Sequence, residues 1–127
     1  MNIVFFPVKE TPTKLARLCK LAQHHVEQRE PLLLLVPDKA SFDFLDKLLW
    51  SSPPESFLPH LTNLLTISLE LDAHFPSVFN LRPVALLETN IRTVYEFEDH
   101  TSSEKFQLSK HRYQTYRDQN LPISIEI

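Results

Sequence analysis

The chain has 127 residues, 43% hydrophobic and 23% charged, which suits one ordinary core and is too little for two. It contains no glycine, where average usage of roughly 7% would give about nine, and this excludes phosphate-cradling loops, glycine-rich dinucleotide turns and G-x-S-x-G elbows, whose backbones only glycine supplies. A net charge of −3 and a pI near 6.0 argue against a protein that grips duplex DNA or RNA mainly through phosphate neutralisation.

Along the chain the elements alternate. Residues 3–8, rich in Val, Ile and Phe, read as a buried strand. Thr11 followed by Pro12 reads as a hydroxyl cap and a first-turn proline. From there Leu15, Leu18, Cys19, Ala22 and Val26 form one face of a helix running to about Arg29, where Pro31 stops it. Residues 32–36, an unbroken apolar run between prolines, suit a strand covered on both faces. Asp38 then caps a second helix with Leu45, Leu48 and Leu49 inside, ended by Pro53-Pro54. Residues 65–71 and 78–81 read as further strands, 84–92 as a short helix, 94–97 as a fifth strand, and 101–120 as a last helix started by Ser102, Ser103 and Glu104. Alternating strands and helices with short connections predict an α/β domain over residues 1–127. Its mostly parallel sheet carries helices on both faces, a Rossmann-like three-layer arrangement without the nucleotide-binding glycine turn.

No catalytic constellation stands out. The six histidines, His24, His25, His60, His74, His100 and His111, form no H-x-x-x-H pair on one helical face, so His24 and His25 read as solvated and no metal or cofactor is expected. Cys19, alone, permits no internal disulfide and behaves as a small hydrophobe on a core face. Glu96, Glu98 and Asp99 read as a solvated strand end, with general acid–base work as the alternative. The N-terminus lacks the basic start and small-residue cleavage site of a signal peptide, and the longest apolar run is too short for a bilayer, so a cytoplasmic protein is expected.

Two surfaces call for a partner. On the last helix Phe106, Lys110, Tyr113 and Arg117 share a stripe less than about 70° wide at 100° per residue. Rings and cations so mixed suit a peptide with an apolar end and acidic groups or a free carboxylate, while the alternative is rings covering the sheet with cations snorkelling outward. His111, Arg112 and Tyr116 lie farther round and fit either face. On the second helix Trp50 falls with Asp43 and Asp46, away from the leucines. It leads into Pro53-Pro54-Glu55-Ser56-Phe57-Leu58-Pro59, which has the composition of an interface anchor or of a satellite cluster over the helix end.

Leu48-Leu49-Trp50 followed by Pro54-Glu55-Ser56-Phe57-Leu58-Pro59-His60, and Leu108, Arg112-Tyr113 and Tyr116-Arg117 near the end, resemble the chi subunit family of bacterial DNA polymerase III over nearly the whole chain. The resemblance implies a non-catalytic clamp-loader accessory protein that binds the acidic C-terminal tail of single-stranded-DNA-binding protein and has little or no direct nucleic-acid or membrane contact. Carried over by position, tail binding falls on Phe106, Lys110, Arg112, Tyr113, Gln114 and Arg117, with Lys110 where an arginine is common and Gln114 where a lysine is. Binding of a psi subunit or a helicase falls on Trp50, Pro54, Phe57 and Pro59. The alternative from another class is a small hydrolase or transferase with Asp38, His60 or Glu96 at the strand carboxyl ends.

Overall fold

The computed structural model describes residues 1–50, 64–72, 74–88 and 90–126, apart from the side chain of Trp50. Strands β1 (Asn2–Val8), β2 (Leu32–Leu35), β3 (Leu65–Ser68), β4 (Ser77–Asn80), β5 (Thr93–Asp99) and β6 (Ile123–Ile125) alternate with helices α1 (Thr11–Glu27), α2 (Lys39–Trp50) and α3 (Ser103–Asp118). The strands form one parallel sheet in the order β3-β2-β4-β5-β1-β6. This is the expected Rossmann-like α/β architecture.

Alternation along the strands divides the core into two layers. Phe6, Val8, Leu32, Leu34, Phe79 and Phe97 face α1 and α2, meeting Leu18, Ala22, Leu45 and Leu49. Ile3, Phe5, Leu33, Leu35, Val78 and Val94 face the opposite side, where Tyr116 of α3 and Leu86 and Ile91 cover them. The all-leucine run of β2 is explained by this double coverage: both of its faces are core.

Local chemistry sets the helix ends. The Asp38 carboxylate accepts from the Ser41 N–H at 2.8 Å and starts α2 as expected, a bond that holds its carboxyl below the usual range. The Ser102 hydroxyl does the same for α3, accepting from the Lys105 N–H at 3.1 Å. For α1 the expectation fails: Thr11 is already helical, Glu10 occupies the cap position, and no side chain caps the helix. Both α1 and α3 end in Schellman motifs. Glu30 N–H bonds to the His25 carbonyl and Arg29 N–H to that of Val26, while Leu121 N–H bonds to the Tyr116 carbonyl and Asn120 N–H to that of Arg117. Without glycine, the left-handed positions fall to Arg29 (φ 55°) and Asn120 (φ 58°). Asn tolerates this conformation; arginine is strained by it.

Three further expectations are corrected. Of the helix expected over 84–92, the described residues 84–88 and 90–92 are not helical, and β6 is an additional strand. His25 is not solvated: it is buried, with Nδ1 3.0 Å from the Glu30 carbonyl and Nε2 2.8 Å from the Tyr95 hydroxyl. The carbonyl can only accept, so Nδ1 carries the proton and Nε2 accepts from Tyr95. Burial lowers the pKa of this ring and keeps it neutral. His24 beside it is exposed.

Replacing Arg29 by glycine removes the left-handed strain of about 1–2 kcal/mol and adds back glycine's entropic cost of about 0.5–1 kcal/mol. Urea denaturation of Arg29→Gly is therefore expected to show a net gain of up to about 1.5 kcal/mol, and a loss would contradict the strain.

Candidate functional site

The base of the site is a buried polar network under α3. Glu96, wholly buried on β5, accepts from Arg112 Nε at 2.9 Å, from Asn80 Nδ2 at 2.8 Å and from the Tyr116 hydroxyl. Arg112 also donates to the carbonyls of Pro83 (3.3 Å) and Phe97 (3.2 Å) and to Ser109 Oγ (3.2 Å). The Tyr116 hydroxyl accepts from the Leu86 N–H at 3.0 Å, and Asn80 Nδ2 donates to the Val84 carbonyl at 2.8 Å. Side chains of α3 and β4 thus take the carbonyls of Pro83 and Val84, which a helix would use internally, and fix the Leu86 N–H. That is why residues 84–88 stay irregular despite a helix-forming composition.

Desolvation pushes the Glu96 carboxyl up to about 7, against the pull of the Arg112 charge and the donated hydrogen bonds. Burial likewise pushes the Tyr116 phenol upward. Of the residues that fitted either face, Arg112 and Tyr116 are therefore inside, and His111 is exposed. The guanidinium of Arg112 is spent on holding α3 to the sheet rather than on the surface.

With that edge of α3 fixed, its other edge forms a groove toward the rim of the sheet. The cavity, about 330 Å³, is lined by Phe5, Glu98, Ser109, Lys110, Tyr113, Gln114 and Ile125. Its floor is aromatic: the half-buried Tyr113 ring meets Phe5 edge to face, centroids 5.6 Å apart. Lys110 is exposed at the rim, its ammonium 5.4 Å from the centre of the Phe106 ring, which itself stacks on His100 at 4.3 Å. Gln114 hydrogen-bonds to Asp118 at 2.8 Å. Arg117, at the last turn of α3, is exposed and outside the lining.

The structure therefore brings together Lys110, Tyr113 and Gln114, with Phe106 supporting Lys110 from the side. Phe5, Ser109 and Ile125, and Glu98 as a groove wall, escaped sequence reasoning. Phe5 is mid-strand in β1, Glu98 and Ile125 lie toward strand ends, and Ser109 is on the α3 face turned to the sheet. Only the I-S-I alternation at 123–125 signalled a strand there. The acidic trio is split: Glu98 lies 3.4 Å from His100, and Asp99 is bonded to Lys14 at 2.6 Å and to Thr101, while Glu96 is sealed below. Trp50's side chain, Pro54, Phe57, Pro59 and His60 lie outside the described residues.

A second cavity, about 350 Å³, sits at the carboxyl ends of the strands, where α/β folds place ligands. Its lining is mostly apolar, with Leu15, Leu18, Val36, Phe44, Leu45, Leu81 and Phe97 among it; its cation, Lys14, is paired with Asp99. Asp38 is engaged as the α2 cap and Glu96 lies on the other side of the sheet. Among the described residues no cluster of three or more His, Cys, Asp or Glu could hold a metal, and no helix is long and apolar enough to cross a membrane.

Comparison with protein families matches residues 1–124 to the DNA polymerase III chi subunit, HolC. The chain belongs to the DNA polymerase III chi subunit family. A search of curated proteins returned no match. Membership makes this chi-family protein an accessory component of a replicative polymerase.

The Glu96–Arg112 pair can be tested through pH. In the native state Glu96 keeps a proton that the unfolded chain has released, so stability falls as pH rises from the ordinary carboxylate range through about 7. Arg112→Met strands the ionised carboxylate and is expected to cost about 3–5 kcal/mol at pH 8, with a smaller loss near pH 5, where Glu96 is neutral. A loss that urea denaturation finds independent of pH would contradict the assignment.

Proposed function

We propose that this chi-family protein is a non-catalytic adaptor whose α3 groove takes the acidic C-terminal tail of single-stranded-DNA-binding protein. The observation that carries this reading is the groove: an aromatic floor of Tyr113 and Phe5, closed by Ile125, with the Lys110 ammonium at its mouth. An apolar terminal side chain would pack on the rings, and the peptide's carboxylates would lie toward Lys110 and Arg117 rather than toward the Glu98 wall. Gln114 offers an amide to the peptide backbone. Arg112 contributes from beneath, by fixing the helix that carries these groups.

The tail-binding set is thus Phe106, Lys110, Tyr113, Gln114 and Arg117 at the surface. A second face, at Trp50, Pro54, Phe57 and Pro59, would hold a psi subunit or a helicase, with rings as anchors and prolines limiting the entropy lost on docking. Holding both partners at once tethers the polymerase to coated template by raising effective concentration.

Calorimetry with an acidic peptide ending in Pro-Phe is expected to show about 10- to 100-fold weaker binding for Lys110→Glu, the loss of one charge-assisted contact, and a smaller drop for Arg117→Glu, which lies outside the groove. Unchanged affinity for both removes the groove from the account. For the second face, Trp50→Ala should abolish capture of the psi subunit or helicase while leaving peptide binding intact. Loss of both activities together would indicate a folding defect instead.

A further inference from the structure

Strand β6 ends the sheet, and its recorded partner is β1. Ile3 N–H bonds to the Pro122 carbonyl and Glu126 N–H to the Phe5 carbonyl, each at 2.9 Å, so the even-numbered residues turn their backbone groups toward β1. Backbone groups alternate along a strand, which leaves the N–H and C=O of Ile123 and Ile125 facing away from the sheet. Among the described residues no strand covers them. Such an edge is a template for one more strand.

The surroundings of this edge say what kind of strand it fits. On its α3 side Ile125, 53% exposed, is shared with the groove that carries Lys110. On the other face α1 presents Arg17, Lys20 and His24, at i, i+3 and i+7, around a hollow of about 200 Å³ floored by Phe6 and Leu21. Arg17 lies 5.0 Å over the Phe6 ring and donates to the Glu126 carbonyl at 3.1 Å, which fixes its guanidinium at the end of β6. Cations therefore flank the edge on both faces of the sheet.

We propose that the outer edge of β6 receives, as an added strand, the acidic residues that precede the apolar end seated in the α3 groove. The proposal rests on the groove reading. Successive side chains of an added strand point to opposite faces. Acidic ones would meet Lys110 on one side and Arg17 and Lys20 on the other, while the main chain bonds to Ile123 and Ile125. A second copy of this chain is a poorer occupant, because edge-to-edge pairing sets two like basic stripes against each other.

The test compares, by calorimetry, a nine-residue acidic peptide ending in Pro-Phe with an acetylated three-residue peptide of the same end. A series of the longer peptide with single backbone N-methyl groups is measured alongside. The long peptide is expected to bind about tenfold more tightly, the worth of two or so main-chain hydrogen bonds. N-methylation should weaken it at alternate positions and leave the positions between unaffected. Arg17→Gln combined with Lys20→Gln should bring the long peptide toward the short one without changing the short one. Equal affinities, or tolerance of methylation at every position, overturn the added strand and leave the groove reading standing. If neither peptide binds, both fall. A dimer in sedimentation that the long peptide does not disperse would likewise overturn the proposal.

Discussion

A carboxylate buried in the middle of a sheet face cannot be left alone, and the way Glu96 is satisfied organises half of this molecule. Ionised, it requires a counter-charge and donors in a medium that solvates poorly. Arg112 and Tyr116, one turn apart on α3, and Asn80 at the end of β4 supply them. The same side chains reach on to the backbone of residues 83–86, so helix, sheet and connecting segment are held at one point. Once that inner face is committed, the helical period decides the rest: Phe106, Lys110, Tyr113 and Gln114 must stand on the outer flanks. The groove is a consequence of how α3 is pinned.

The missing glycine acts in the same direction. A strand-to-helix turn without glycine does not bring backbone N–H groups close to a phosphate, and the helix ends fall to Arg29 and Asn120. At the carboxyl ends of the strands, where relatives in architecture keep nucleotides, this chain has an apolar cavity with its cation already paired. What is left among the described residues is surface: rings beside cations at the sheet's β6 rim.

Much of this was legible beforehand. The apolar runs gave β1 and β2, the i, i+3, i+4 pattern gave α1, and Asp38 and Ser102 marked helix starts because their carboxylate and hydroxyl have one strong local use. That Lys110 and Tyr113 share one flank of α3 was legible for the same reason, since helical geometry is fixed by 100° per residue. Arg117 of the same expected stripe lies outside the groove lining. What failed was whatever depended on distant partners. Residues 84–92 have helical composition, yet Tyr116, Arg112 and Asn80 claim backbone groups of Pro83, Val84 and Leu86 from elsewhere in the chain. Arg112 fitted either face of α3 because nothing local announces a buried Glu96 sixteen positions earlier. Ile123–Ile125 carried only the single I-S-I alternation, too short to stand as a strand by itself, and it became one because β1 offered an edge.

The central claim is that a pinned α3 and the neighbouring β6 form one receptor for an acidic peptide end. The most direct measurement is a two-dimensional ¹⁵N amide titration of the protein with such a peptide. The account predicts shift changes gathered on Lys110, Tyr113 and Gln114 and on residues 123–125, with the Glu96 and Arg112 signals little moved. Changes centred instead on Phe44, Leu81 and the cavity at the strand carboxyl ends, or spread across both faces without a focus, would contradict it.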